Sequence, residues 1–394
     1  MKRIRSLLIV CCTSLFFFSG CKSDNNARIA SAISEQYSLM LDEATSCKAL
    51  PRTILPDGTT QWSNKRFEWT IGFFPGSCWL MYELTGEDKW KEAGKELQEI
   101  VRKFHKASSH DLGFVFNCSF GNAFRLTKDS IYTVPMIQAA KTLAGRFKPE
   151  VGLIKSWDAN RGWQAKRGWQ YPVIIDNMMN LELLFEVANI TKDSIYYNIA
   201  VSHADKTMQN HYRQNVSSYH VVDYDSIHGN VRSKETAQGY ADESSWARGQ
   251  AWGLYGYTVC YRYTGDKKYL DFAEKIASYI MNASSMPEDC IPYWDYDDPN
   301  IPNVPRDASA AAVTASALLE LCRYSDHGEE YRDYAGKILK SLSSPDYLAE
   351  IGTNNYFLLK HSVGSIPHGN EIDVPLNYAD YYFIEALIRN EKLE

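Results

Sequence analysis

A basic excess, long apolar runs and paired cysteines are all missing from this chain. Its 42 Lys and Arg against 48 Asp and Glu give a formal charge of −6 over 394 residues. That argues against a nucleic-acid partner, which needs a basic footprint. Past the N-terminal segment no run of 18 or more apolar residues occurs, so no polytopic membrane fold is written here. Charged residues at 23% and hydrophobic residues at 45% exclude a disordered or collagen-like chain. The nine cysteines form no C-x-x-C pair, and the six beyond residue 21 are scattered. This excludes a disulfide-dense scaffold and speaks against a zinc site, which needs clustered ligands. Aromatic residues, by contrast, are abundant. Ten Trp, 26 Tyr and 16 Phe make up 13% of the chain, more than a core alone asks for, and flat aromatic faces suit sugar rings. The mean hydropathy of −0.37 is that of an ordinary globular chain, and the length fits one large domain or two medium ones.

The first twenty residues read as an address. Lys2, Arg3 and Arg5 form a positive segment, residues 7–18 an apolar one too short for a membrane span, and Phe18-Ser19-Gly20-Cys21 a lipoprotein-type cleavage site. The expectation is a leader over 1–20, a lipidated Cys21, and a short linker over 21–27. The protein would then be an exported bacterial lipoprotein, periplasmic or associated with the outer membrane, with the lipid its only membrane link. Plain secretion with an incidental Cys21 is the alternative. Loss of the three leader cations takes the formal charge from −6 to −9. The cysteines left after Cys11, Cys12 and Cys21 are Cys47, Cys78, Cys118, Cys260, Cys290 and Cys322, and buried free thiols are expected of them.

One pattern recurs along the remaining chain. An apolar helix ends at Thr or Ser with a Gly, Lys or Asp turn, and an amphipathic helix follows. It occurs at Thr85-Gly86-Glu87-Asp88, Thr127-Lys128-Asp129, Thr191-Lys192-Asp193 and Thr264-Gly265-Asp266, and more loosely at Tyr324-Ser325-Asp326. The second helices carry a single apolar stripe, such as Tyr269, Phe272, Ala273, Ile276, Ala277 and Ile280. The first helices, such as 246–261, are apolar almost all round and therefore belong inside. Five hairpins, with helices over 27–44 and 380–390 closing a sixth, make an all-α (α/α)6 barrel of twelve helices in two concentric layers over 28–394. An open solenoid is the alternative. Long loops such as 157–172 and 292–306 should crowd one mouth of the barrel, where a site would form.

Two isolated acids stand at entrances to inner helices. Asp176, in Val173-Ile174-Ile175-Asp176-Asn177-Met178, is surrounded by apolar residues that penalise its charged form, so it is either a protonated general acid or a helix cap. Asp111, in His110-Asp111-Leu112-Gly113-Phe114, is a second acid or a second cap. Glycoside chemistry uses paired carboxylates. Arg248 is a cation inside an apolar helix and needs an anion, either a substrate carboxylate or a protein acid such as Asp242. Trp69, Phe73, Trp246 and Trp252 offer either ring faces or core packing. His220 is either a polar site residue or a satisfied structural histidine.

These segments resemble the unsaturated glucuronyl hydrolases of glycoside hydrolase family 88. The likeness lies in residues 69–82, in His110-Asp111-Leu112-Gly113-Phe114, in Ile174-Ile175-Asp176-Asn177 and in Trp246-Ala247-Arg248-Gly249-Gln250-Ala251-Trp252. It runs from about residue 28 to the end. The resemblance implies the same barrel, with Asp176 and Asp111 as catalytic carboxylates, Asp176 as acid and base and Asp111 either orienting the sugar and stabilising the cationic transition state or acting as a nucleophile. It also implies substrate contacts from Trp69, Phe73, His220, Thr236, Gln238, Trp246, Arg248 and Trp252. The implied substrate is an oligosaccharide left by a polysaccharide lyase, with a 4,5-unsaturated uronic acid at its non-reducing end. The reaction is hydration of that enol ether and needs no metal or organic cofactor. Some members read a sulfate near the C-terminus, and residues 362–373 here do not match that pattern clearly. The rivals are an unsaturated rhamnogalacturonyl hydrolase on the same barrel and a non-catalytic glycan-binding lipoprotein.

Overall fold

The computed structural model describes residues 16–160 and 162–393, with side chains from Ala27 on. Most of the expected leader, with Cys11 and Cys12, and the side chain of Cys21 lie outside the described residues. In chain order the helices are α1 (Phe16–Cys47), α2 (Phe73–Thr85), α3 (Asp88–Arg102), α4 (Leu112–Phe116), α5 (Asn122–Thr127) and α6 (Thr133–Ala144). They continue as α7 (Leu181–Thr191), α8 (Ser194–Asn210), α9 (Ala247–Thr264), α10 (Lys267–Met281), α11 (Ala308–Leu321), α12 (Gly328–Leu342) and α13 (Asn377–Glu391). A π-turn over Asn117–Gly121 fuses α4 and α5 into one rod, so the described residues form twelve helical rods.

The repeated turn has one chemistry. Helices α2, α5, α7 and α9 each end on a Thr whose hydroxyl donates to the carbonyl four residues back and accepts the N–H two residues on. The next residue takes the left-handed conformation, with φ 73 at Gly86, 59 at Lys128, 61 at Lys192 and 65 at Gly265. It satisfies a terminal helix carbonyl and reverses the chain. Asp129, Asp193 and Asp266 then cap the following segment by accepting the N–H two residues on.

Burial sorts the layers. Every residue of α11 is buried, and so is α9 from Ala247 to Cys260. In α3, by contrast, only Trp90, Ala93, Gly94, Leu97, Gln98 and Val101 are buried, on one face. The inner rods α2, α4/α5, α7, α9, α11 and α13 each pack on the next, and α13 returns to α2. The closed ring excludes the open solenoid. Helices α3, α6, α8, α10 and α12 back the inner layer, and α1 meets α13 where Tyr37 Oη donates to Asp380 Oδ2 at 3.2 Å. The terminal helices thus pair as expected.

Short antiparallel strands occupy the loops that enter the inner helices: β1 (Leu50–Ile54), β2 (Thr60–Ser63), β3 (Phe147–Lys148), β4 (Leu153–Ile154), β5 (Tyr171–Ile174), β6 (Val221–Tyr224), β7 (Val231–Glu235), β8 (Ser362–Ser365) and β9 (Asn370–Val374). Strands β5, β6 and β7 form one three-stranded sheet, and the others form hairpins. Helical periodicity carries no trace of these strands. Four cysteines are buried free thiols, Cys322 is half-buried, and Cys47 is exposed.

Thr191→Val deletes the hydroxyl bonds to Val187 O and Asp193 N and should cost about 1–2 kcal/mol in denaturant unfolding. Lys192→Gly, which relieves a φ of 61, should act in the opposite direction by up to about 1 kcal/mol. Equal signs for the two variants would refute this account of the turn.

Candidate active site

The two acid-bearing segments recognise each other through backbone and amide groups. Asp176 lies in a 3-10 turn, Ile175–Asn180, between β5 and α7. Asp111 immediately precedes α4. A Cβ on Gly113 would stand 2.3 Å from Asn180 Cα, so only glycine allows this approach. Phe114 N donates to Asn180 Oδ1 at 2.8 Å, and His110 Nδ1 meets Asn177 Oδ1 at 3.3 Å. The sequence had not marked Gly113, Asn177 or Asn180, although the first two lie inside quoted motifs and Asn180 stands two residues past one.

Asp176 is not a cap. Its Oδ2 has no hydrogen-bond partner, and the residue preceding α7 is Asn180. Its side chain is 14% exposed, and desolvation by burial pushes the carboxyl up to about 7. Arg248 and the residue's own backbone N–H oppose that rise, Asp111 adds to it, and the Trp252 indole opposes it least. The indole N–H itself is unpaired. Asp380 is also raised to about 7, but its oxygens are engaged by Leu358 N and Leu359 N at 2.9 Å each and by Tyr37. Of these two acids, Asp176 alone combines the raised value with an open oxygen.

His220 faces that oxygen. Its Nδ1 accepts Ala237 N at 3.0 Å and Gln238 N at 3.1 Å, which places the ring proton on Nε2. Nε2 lies 3.7 Å from Asp176 Oδ2 and has no other partner. Burial, then Arg248, holds the imidazole well below its ordinary value, so it is a neutral donor. Gln238 Oε1, Trp246 Nε1 and Trp252 Nε1 are likewise buried without a partner. Thr236 Oγ1 accepts Gly239 N at 2.8 Å.

Arg248 departs from the pairing considered for it. Its protein partner is Asp307, with Nη1 3.0 Å from Oδ2, not Asp242. Asp242 instead accepts Thr236 N at 2.8 Å. The guanidinium also donates to Val363 O and, at 2.7 Å, to Gly364 O in β8. It stacks 4.5 Å from the Trp246 ring. Asp307 was missed because it looks like an ordinary cap of α11, which it also is.

The aromatic residues divide by depth. Trp69 is half-buried and packs on Tyr378, Phe114 and Phe73. Phe73 and Trp252 have no exposed surface and Trp246 is 2% exposed, so Phe73 packs beneath Trp69 and Trp252 beneath Phe114 and Tyr378. Trp157, Trp163 and Trp169 lie beside His220 and His368, in the 157–172 loop expected at the mouth. Among the described residues no group of three or more His, Cys, Asp or Glu is placed to hold a metal ion. A separate cavity of about 510 Å³ opens among Glu182, Arg262, Glu320, Glu385 and Arg389, whose charges pair with one another.

The model of glycosyl hydrolase family 88 matches residues 51–393. The chain belongs to this family. It is 46% identical over 328 residues to an unsaturated glucuronyl hydrolase of Formosa agariphila, covering 83% of this chain and 80% of that protein. It is 32% identical over 330 residues to an unsaturated chondroitin disaccharide hydrolase of Streptococcus pneumoniae, covering 82% and 81%. A crystal structure of an unsaturated glucuronyl hydrolase specific for heparin matches with a TM-score of 0.89 at 46% identity, covering 94% of this chain and 98% of that one. The (α/α)6 barrel expected from the repeats is the fold of this family 88 enzyme.

The raised Asp176 has a thermodynamic signature. An unfolded aspartate loses its proton near ~3.9, whereas Asp176 in the fold keeps it to about 7. The native state therefore binds the extra proton between those values, and stability falls as pH rises through that window. Asp176→Asn removes this penalty. Its melting temperature should match wild type near the lower value and exceed it above the upper one. A variant less stable than wild type at alkaline pH would overturn the assignment.

Proposed function

We propose that this enzyme removes the 4,5-unsaturated uronic acid from the non-reducing end of polysaccharide-lyase products of glycosaminoglycan type. Asp176 is the acid and base. The C4=C5 bond, conjugated with the carboxylate and joined to the ring oxygen, is an enol ether. Asp176 protonates C4, and positive charge develops at C5 and the ring oxygen. Water then adds at C5, giving its proton to the same carboxylate. The hemiketal opens to a 5-keto group, and the hemiacetal left at C1 releases the remaining sugar. One water is consumed for each sugar linkage broken.

The observation that carries this reading is an aspartate raised to about 7, with an unpaired oxygen 3.7 Å from the unpaired His220 Nε2. A group with that value exchanges protons in both directions near neutral pH. His220 donates to the carboxylate or to a sugar hydroxyl, Gln238 and Thr236 contact the sugar, and Trp69 offers the ring face. Arg248, with Trp246 stacked on it, supplies positive potential for the uronate. Asp111 orients hydroxyls and stabilises the cationic transition state. Family membership and the substrates named for the relatives favour this reading over rhamnogalacturonyl hydrolysis and over non-catalytic glycan binding.

Asp176→Asn should fold and bind unsaturated disaccharide while kcat falls at least ~10²–10⁴-fold, followed as loss of the unsaturated uronate's ultraviolet absorbance. Wild-type kcat/KM should decline as pH rises through about 7, where the free enzyme loses the Asp176 proton. Turnover in heavy water should place deuterium at C4. A folded, active Asp176→Asn enzyme refutes the role of Asp176, and absence of deuterium refutes the hydration route.

We also propose that the protein is an exported bacterial lipoprotein anchored through Cys21, in the periplasm or at the outer membrane. This reading rests on the cationic, apolar and small residues before Cys21. Cys21→Ser should release active protein from the membrane fraction, and identical fractionation of variant and wild type would sink the anchor.

A further inference from the structure

The amide of Asn177 has one possible orientation. Its Nδ2 donates to the Ile154 carbonyl at 2.8 Å, so Oδ1 is the atom facing His110 Nδ1 at 3.3 Å. Asn180 agrees, because its own Oδ1 accepts Phe114 N and its Nδ2 faces Asn177 Oδ1. An amide oxygen only accepts, so His110 Nδ1 carries a proton. The other ring nitrogen, Nε2, lies 3.3 Å from Asp111 Oδ1. With Nδ1 already protonated, a neutral ring turns its lone pair toward a carboxylate. His110 is 1% exposed, and two acceptors facing each other in a buried place need a proton between them.

We propose that His110 and Asp111 hold one proton in common on the Nε2···Oδ1 line, and that His110 is the positioning residue for Asp111. The inference rests on the place given above to Asp111 in the reaction. Ser109 Oγ donates to Asp111 Oδ2 at 3.0 Å and secures the other oxygen. As positive charge develops on the sugar, the shared proton moves to Nε2, and the full carboxylate charge faces the ring. The charged and titratable groups around the pair are Arg146 beyond α6, Asp176 in the 3-10 turn and His203 on α8. Burial first, and then Arg146, opposes an imidazolium here, while Asp111 favours it. Burial wins that balance and holds the ring below its ordinary value, so at rest the proton stays between the ring and the carboxylate.

Two amide substitutions separate the contacts. Asn at 110 keeps a donor for Asn177 but none for Asp111, whereas Gln places a non-titrating donor near the Nε2 position. His110→Asn should lower kcat by about 10²-fold with little change in KM. His110→Gln should recover most of the rate. A folded His110→Asn enzyme with unchanged kcat, or a Gln variant no better than the Asn variant, overturns the proposal. Nitrogen NMR of ¹⁵N-histidine wild-type enzyme reads the pair without turnover or altered folding. His110 Nδ1 should stay protonated throughout the active pH range, with Nε2 responding to Asp111→Asn, and an unprotonated Nδ1 overturns the pairing. Full activity in Asp111→Asn together with a protonated Nδ1 would locate the failure in the role given to Asp111, not in the pair.

Discussion

A guanidinium buried to 2% exposure at the head of α9 constrains the whole polar end of the barrel. Taking such a charge out of water costs several kcal/mol unless an anion and further acceptors meet it. Asp307 supplies the anion at 3.0 Å, and β8 supplies two carbonyls. Because Asp307 also caps α11, one cation ties α9, α11 and the β8–β9 hairpin together. The Trp246 and Tyr378 rings cover its faces, and Tyr378 belongs to α13. With its terminal nitrogens held by the protein, Arg248 acts on Asp176 through its field more than through contact.

The same economy of polar groups separates the reactive acid from the structural one. Asp176 and Asp380 are both raised to about 7, so desolvation alone does not mark a catalytic group. The difference lies in what meets their oxygens. Asp380 is saturated by two backbone N–H groups and Tyr37, and it locks α1 to α13. Asp176 Oδ2 is left open, beside other buried atoms equally left open, among them His220 Nε2 and Gln238 Oε1. A folded protein rarely leaves so many buried polar groups unpaired in one place, and a hydroxyl-rich ligand is a natural partner for them.

Much of the barrel was legible in the chain. The Thr-Gly/Lys-Asp turns mark their own helix ends, since each residue there has a local job: side-chain bonding, the left-handed φ, and capping. Burial periodicity then separates inner from outer rods. The small strands at the mouth were not legible. Tyr171-Pro172-Val173-Ile174 and Val221-Val222-Asp223-Tyr224 are too short to carry a period, and they become strands only by pairing with each other.

For the site, the sequence by itself determined which residue types stand at the entrances: two acids, a histidine, a buried cation and the aromatic residues. Those assignments depend on local composition, which is readable along the chain. Only the tertiary structure decided how they meet. It placed Asp307 rather than Asp242 against Arg248, put Phe73 beneath Trp69, aimed the His220 proton at Asp176, and set Gly113 against Asn180. All but the local pair of Trp69 and Phe73 are contacts between segments tens of residues apart. Desolvation and hydrogen-bond geometry come into being only when the ring of helices closes and brings those segments to one mouth.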